Sequence, residues 1–248
     1  SFTAAAVLLL RDRGALRLDA PITSYVPELR ISSATADTAD LTVRDLLTMS
    51  SGLATDDPWA DRHLDADETA MDALFAGGAY FATAPGATFT YSNFGYAMLG
   101  RAVTNVGGKP YQSFISDEIL RPLGMHSTTW DVPARRAEPM RNRDGTAVPE
   151  GQELLGDGGF AAMGGLWSTV DDLLTWAEHF LDAFPARDDE ERGPLRRATR
   201  REMQRMATFR PGYRVRAAAA ERALVGGYGM GLLTYEDDRM GRTVSHSG

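Results

Sequence analysis

Two short motifs place reactive types of side chain at the ends of predicted elements. Tyr91-Ser92-Asn93 comes directly before a stretch with helical periodicity, and His246-Ser247-Gly248 follows an alternating, strand-like stretch. A tyrosine at a loop-to-helix junction is able to present its hydroxyl to a cleft, while a serine there can cap the helix. Each motif also has a purely structural interpretation: a half-buried tyrosine with a satisfied hydroxyl, and a strand-end turn.

Other common catalytic patterns do not occur in the sequence. The four histidines lack a second histidine three or four residues away, so we expect no metal site. One of them, His179, lies on an amphipathic segment and is expected at the surface. The chain has no cysteine, which excludes disulfides and thiolate catalysis. It has neither a glycine-rich phosphate loop nor a Gly-x-Ser-x-Gly elbow, and we expect no cofactor.

Composition and charge disfavour some classes of binding partner. The 248 residues are 43% apolar and 24% charged, which is typical of a globular domain. Lys and Arg total 26 against 34 Asp and Glu, and the resulting net charge of −8 disfavours nucleic acid and anionic membranes. The longest apolar run, residues 4–10, is too short to span a bilayer. The arginine-rich residues 187–222 predict a solvated helical surface.

The predicted elements are mostly helical until the final third of the chain. Helical patterns cover residues 2–13, 66–75, 93–106 and 111–120, and a capping box begins a short helix near Thr42. Residues 131–158 are interpreted as long loops. A second capping box at Ser168 opens a helix whose apolar face is predicted to be buried, with Leu173, Leu174, Trp176, Ala177, Phe180, Leu181 and Phe184.

Strand patterns appear only near the end of the chain. Residues 228–236 predict one strand, residues 237–241 a turn and residues 242–245 the returning strand. Helices in the middle and strands at the end favour an α+β fold, in which an antiparallel sheet is flanked by helices and a mostly helical subdomain is inserted.

Seven stretches of the chain occur in an order that is typical of one protein family. They are residues 2–4, 16–22, 43–53, 91–93 with Tyr96, 119–125, 164–169 and 246–248. Together they resemble the serine β-lactamase and penicillin-binding family, especially class C β-lactamases and the related esterases and D-amino-acid peptidases. One departure is Met49, because the family more often has histidine at that position.

This resemblance implies a β-lactamase/transpeptidase-like fold and acyl transfer through a serine ester. Tyr91 would be the general base or proton relay, and Asn93 would hydrogen-bond the substrate or the family's catalytic lysine. His246 would supply polarity behind the site, while Ser247 and Gly248 would bind substrate along a strand edge. The expected substrates are small-molecule esters, peptides or β-lactams. Histidine in place of lysine favours neutral esters or peptide-like amides, because histidine is mostly neutral at pH 7.

The nucleophile motif of that family, Ser-x-x-Lys, is not found in this chain. Ser1 is followed by Phe2, Thr3 and Ala4, and the only lysine, Lys109, has no serine three positions before it. The resemblance places the lysine of the motif immediately before Ser1 and the second oxyanion N–H beyond residue 248. We therefore expect an incomplete fold, cut within the active site at both ends, and no activity from these residues alone.

The resemblance also implies how the chain is organised. Residues 1–248 would form one catalytic domain fragment, with residues 1–35 and 160–248 as an α/β part and residues 36–159 as a mostly helical part. The oligomeric state and the location stay open, although members of the family are often exported. The alternative hypothesis is a non-catalytic homologue that keeps the fold as a binding or sensing module, and the presence of Ser-x-x-Lys upstream of Ser1 would separate the two.

Overall fold

The computed structural model describes residues 1–31, 37–56, 60–138, 140–149, 156–210, 224–237 and 241–246. These ranges contain eight α-helices: α1 (Phe2–Asp12), α2 (Val43–Leu47), α3 (Glu68–Gly77), α4 (Asn93–Gly107), α5 (Tyr111–Ile115), α6 (Arg121–Leu123), α7 (Val170–Leu181) and α8 (Arg197–Met203). A π-helical turn, Ser116–Leu120, joins α5 to α6. They also contain six strands: β1 (Met140–Arg143), β2 (Thr146–Pro149), β3 (Thr208–Phe209), β4 (Leu224–Tyr228), β5 (Leu233–Asp237) and β6 (Gly241–Ser245).

Helix α1 runs through the core, as its uniformly apolar sequence predicts. Residues 3–10 are all buried, and the helix packs against α4 and α5. A helix that is apolar on every side must be covered on every side, and α4, α5 and the π-helical turn supply part of that cover. Thr3, the one polar residue of the buried stretch, is satisfied by the hydroxyl of Tyr111 at 2.7 Å.

The larger sheet is antiparallel with the order β3-β4-β5-β6. Tyr228 pairs with Leu233, and Leu233 pairs with Ser245. This register brings the end of β6 to the same end of the sheet as Tyr228. The single strand predicted over residues 228–236 is therefore wrong in part, because the chain reverses near Gly231, which has a φ of 75°.

The segment interpreted as long loops contains a small hairpin. Strands β1 and β2 pair antiparallel around Asp144 and Gly145, whose φ values are 53° and 83°. Two left-handed residues are what a tight hairpin turn of the primed type requires, and Asp-Gly is a preferred pair for it. The α+β architecture of helices and antiparallel sheets is confirmed.

Helix α7 buries a different face from the one predicted. Trp176 and Phe180 face the core, but most of the expected apolar face is exposed, namely Leu173, Leu174, Ala177, Leu181 and Phe184. Polar contacts fix this orientation. The buried carboxylate of Asp172 accepts hydrogen bonds from Ser127 N at 2.9 Å and Thr128 Oγ1 at 2.7 Å. The cap is Thr169, which accepts from Asp172 N, and not Ser168.

The arginine-rich segment is not simply a solvated surface. In its described part, Arg197 and Arg200 are buried at 3% and 0% exposure. Arg200 donates to Asp182 Oδ2 and to the carbonyl of His179, which is itself buried rather than at the surface. Buried guanidinium groups need such partners, because an unpaired charge in the interior is costly.

Candidate active site

The first candidate motif begins helix α4. Ser92 is the N-cap, and its Oγ accepts a hydrogen bond from Gly95 N at 3.1 Å. Ser92 and Asn93 are buried, whereas Tyr91, just outside the helix, is half-buried. The predicted cap is therefore confirmed, and it leaves the tyrosine at the junction between a loop and a helix.

A carboxylate that the sequence did not reveal covers the start of α4. Asp56 accepts hydrogen bonds from Asn93 N at 2.9 Å and from Phe94 N at 2.6 Å, and also from Ser92 Oγ at 3.2 Å. The amino end of a helix has unpaired N–H groups and a partial positive charge, so a carboxylate is stabilising there. Asp56 thus holds the main chain of the motif through the N–H groups at the start of α4.

Tyr91 belongs to a group of three neighbouring tyrosines. Tyr96 is buried and donates to the carbonyl of Leu47 at 3.1 Å. Burial raises the pKa of Tyr96 well above its usual range, and the nearby hydroxyls of Tyr228 and Tyr91 raise it further. Burial likewise raises the pKa of Tyr228. Both buried tyrosines are therefore neutral near pH 7, which leaves Tyr91 as the half-buried member.

The second candidate motif reaches the same group through Tyr228. The ring of His246 meets the ring of Tyr228 edge-on, with centroids 6.5 Å apart. The ring of Phe89 also lies beside Tyr228, with centroids 5.8 Å apart. His246 itself is exposed at the end of β6. The structure therefore places Tyr91 and His246 near the same aromatic side chain, Tyr228. Ser247 and Gly248 lie outside the described residues.

The amino end of α1 completes the cluster. The turn between β4 and β5 approaches it so closely that a Cβ on Gly231 would lie 2.7 Å from Ala4 Cβ, 3.2 Å from Ser1 Cα and 3.4 Å from Tyr96 Oη. On the other side, Trp176 Nε1 donates to Ser1 Oγ at 3.1 Å. The first turn of an apolar helix thus lies beside Tyr96 and the turn between β4 and β5.

Sequence reasoning identified the two motifs but missed the residues that hold them together. Asp56, Tyr228 and Gly231 belong to no recognisable pattern, and their roles depend on contacts between distant segments. Within the part of the chain that the structure describes, no group of His, Asp and Glu side chains could hold a metal ion. None of the described helices is both long and apolar enough to cross a bilayer.

Comparison with known families identifies the family of the chain. The Beta-lactamase family model matches residues 1–248, and the chain belongs to that family. It is 27% identical over 185 residues to the D-alanyl-D-alanine-carboxypeptidase/endopeptidase AmpH of Escherichia coli K12, covering 73% of this chain and 46% of that protein. It is 29% identical over 198 residues to Beta-lactamase-like protein 2 of Dictyostelium discoideum, covering 75% and 35%. The chain therefore spans about half or less of these relatives.

Solved structures show the same fold. The octameric penicillin-binding protein homologue from Pyrococcus abyssi superposes with a TM-score of 0.77 at 26% identity, covering all of this chain and 54% of that one. A class C beta-lactamase from Rhodobacter sphaeroides gives a TM-score of 0.65 at 23% identity, covering 95% and 59%. The fold is β-lactamase/transpeptidase-like, as the resemblance implied.

Proposed function

We propose that residues 1–248 supply most of the active site of a serine hydrolase, in which Tyr91 accepts or relays the proton of a serine nucleophile. The observation that carries the proposal is the convergence of Tyr91, His246 and the first turn of α1 around Tyr96 and Tyr228. The proposed nucleophile motif directly precedes that turn, and a base needs to lie within hydrogen-bond reach of the proton it removes.

The remaining motif residues have roles around that base. Asn93 hydrogen-bonds the substrate or the lysine of the nucleophile motif, and its main chain is already fixed by Asp56. His246 supplies polarity behind the acyl group, and Ser247 and Gly248 bind the substrate along the strand edge. One backbone N–H of the oxyanion hole comes from the nucleophile itself, and the other follows the His246 motif.

The proposed nucleophile is not within residues 1–248, since the only lysine, Lys109, lacks a serine three residues earlier. Lys109 is paired with Asp117 at 3.1 Å and Glu118 at 2.8 Å, which assigns it to an ion pair near α5. We propose that these residues alone do not turn over substrate. Residues 1–35 and 160–248 would form the α/β part around the nucleophile and residues 36–159 the mostly helical part.

Esters or peptide-like amides are the proposed substrates, in preference to β-lactams. A β-lactam carries a carboxylate that a permanent cation would hold, and His246 is a weaker cation near pH 7 than a lysine. The name of the relative from E. coli, a carboxypeptidase/endopeptidase, supports peptide-like amides. Faster hydrolysis of a penicillin than of a simple ester by the catalytically competent protein would overturn this preference.

The first experiment is intact-mass analysis after exposure to a fluorophosphonate. It compares residues 1–248 with the polypeptide encoded by the full open reading frame. We expect no adduct on residues 1–248 and a single adduct on the longer protein, lost when the serine of Ser-x-x-Lys is replaced by alanine. An adduct on residues 1–248, or ester turnover by them, would contradict the proposed position of the nucleophile. No adduct on a folded longer protein would favour the non-catalytic binding module.

The role of Tyr91 is tested separately in the longer protein. Tyr91→Phe is expected to lower kcat for a chromogenic ester by roughly 100-fold, because it removes the proton acceptor but keeps the ring. Tyr80→Phe is the matched control, since Tyr80 is 81% exposed and should leave kcat unchanged. Equal kcat values for the two variants would refute the assignment of Tyr91.

A further inference from the structure

Met49 contacts the main chain on both sides of Tyr91. Its carbonyl oxygen accepts a hydrogen bond from Thr90 N at 2.9 Å, and its Sδ accepts one from Ser92 N at 3.4 Å. The side chain is buried, with 3% exposure. One residue therefore fixes the two amide groups that flank the proposed base.

The backbone of Met49 is unusual in a way that explains this double contact. Its φ is 54°, in the left-handed region that a residue with a Cβ seldom adopts. The turn is held by Met49 N donating to Leu46 O and by Ser50 N donating to Asp45 O at 2.9 Å. This reversal at the end of α2 directs both the carbonyl and the side chain of Met49 towards the Tyr91 segment. Strain of this kind is retained where the surrounding structure fixes it, often beside functional residues.

Other contacts join the same two segments. The Leu47 carbonyl accepts from Tyr96 Oη at 3.1 Å, and the Ser50 carbonyl accepts from Gly86 N at 2.7 Å. The end of α2 and the start of α4 therefore form one unit, and within it the contacts of Met49 are the ones that bracket Tyr91.

We infer that Met49 is a positioning residue for Tyr91, acting through its thioether on the Ser92 amide and its carbonyl on the Thr90 amide. The inference rests on the proposed role of Tyr91 and deepens it. A thioether is a weak acceptor, but the Ser92 amide is buried, and a buried amide without a partner is destabilised. Loss of that contact would allow the Tyr91 junction to move, and small misplacements of catalytic groups are costly.

A purely space-filling role for Met49 makes a different prediction. Met49→Leu keeps an apolar side chain of similar size but removes the acceptor. Met49→His restores an acceptor, because Nδ1 of histidine is as many bonds from Cα as Sδ of methionine. If Met49 only fills space, leucine should be tolerated better than histidine; if it positions Tyr91, the order should be reversed.

The test measures amide hydrogen exchange by NMR in the longer, catalytically competent protein. We expect Met49→Leu to accelerate exchange of the Ser92 amide by roughly tenfold relative to buried amides of α1, and Met49→His to return it towards the original rate. Comparison with α1 separates a local effect from a general loss of stability, which would accelerate both. Met98→Leu is the control, since Met98 is equally buried within α4 but does not flank Tyr91.

The functional readout uses the longer, catalytically competent protein. Met49→Leu should lower kcat by about tenfold with little change in KM, and Met49→His should recover most of the loss. Unchanged Ser92 exchange, or altered exchange with unchanged kcat, would overturn the positioning role. A failure of the proposed function is recognised separately, because Tyr91→Phe would then leave kcat unchanged whatever Met49 does.

Discussion

The two sides of the candidate site, the Tyr91 junction and the His246 strand end, are built differently. On the Tyr91 side, the motif is enclosed by a helix cap from Ser92, three hydrogen bonds to Asp56 and two to Met49. On the other side, His246 is exposed at the end of β6 and meets Tyr228 edge-on. The proposed role of Tyr91 as a base requires fixed geometry, whereas the proposed role of the His246 side in substrate binding requires it less.

This contrast implies that stability and selectivity are controlled from different sides. Substitutions on the Tyr91 side remove buried hydrogen bonds and should affect both folding and chemistry. Substitutions on the His246 side change exposed groups and should act mainly on substrate preference. Four substitutions can break or sharpen the comparison.

The largest effect on stability is expected at Gly231, in the turn that packs against the first turn of α1 and Tyr96. Alanine there would require a left-handed φ of 75° and would place Cβ 2.7 Å from Ala4 Cβ. Conformational strain of about 1 kcal/mol and overpacking of about 3 kcal/mol together predict a loss of about 4 kcal/mol. Gly241→Ala is the matched control, since Gly241 has a φ of 69° and open space around its Cβ position. Urea denaturation should show a loss of only about 1 kcal/mol for it. Equal losses would mean that the close approach to α1 contributes nothing.

The second-largest expected effect is a dependence of stability on pH that is caused by His179. His179 stacks on Trp176, which contacts Ser1. Burial, followed by the charge of Arg200, lowers the pKa of His179 from 6.5 to about 4, with Asp182 opposing the shift. The unfolded chain therefore takes up a proton below pH 6.5 while the folded chain does not. Stability should fall as the pH decreases from 6.5 to about 4, and then level off.

The expected loss attributable to His179 over that interval is about 3 kcal/mol. It is measured by urea denaturation at several pH values, with His179→Asn as the comparison, because an amide oxygen can still accept from Arg200 without titrating. The variant should lack this part of the pH dependence. Identical slopes for the two proteins would show that His179 is not the group responsible.

The third effect tests the enclosure of Tyr91 directly. Asp56→Ala removes a carboxylate from three donors at the start of α4 and should cost about 2 kcal/mol. Asp67→Ala offers a control, because Asp67 caps α3 through Ala70 N and is exposed. Its expected cost is about 1 kcal/mol. A smaller loss for Asp56→Ala than for Asp67→Ala would break the claim that the Tyr91 side is the more strongly held one.

The sequence identified what is local and missed what depends on distant segments. In the Thr42–Asp45 capping box and in the Ser92 cap, the bonded groups lie three residues apart, and both caps are confirmed. Asp56 could not be assigned, because it precedes its partner Asn93 by 37 residues. The expectation that the two motifs belong to one site came from family resemblance and not from periodicity.

Helix α7 shows why even a strong periodic signal can mislead. Its exposed stripe is more apolar than its buried face, which includes Asp172 and His179. Their partners come from other segments: Thr128 donates to Asp172, and Arg200 Nη1 lies 3.2 Å from His179 Nδ1. Hydrophobic spacing predicts that a helix forms, but the partners of its polar residues decide which face is buried.

The smallest effect is expected at His246. Replacement by alanine removes an exposed ring that meets Tyr228 edge-on, and substitutions of exposed side chains usually change stability little, so the free energy of unfolding should change by less than about 0.5 kcal/mol. Urea denaturation of His246→Ala and Asp56→Ala in parallel gives the sharpest form of the comparison, since one substitution acts at the strand end and the other at the helix junction. A loss for His246→Ala as large as that for Asp56→Ala would mean that the strand end is as firmly built as the helix junction. Selectivity could not then be altered there without also affecting the fold.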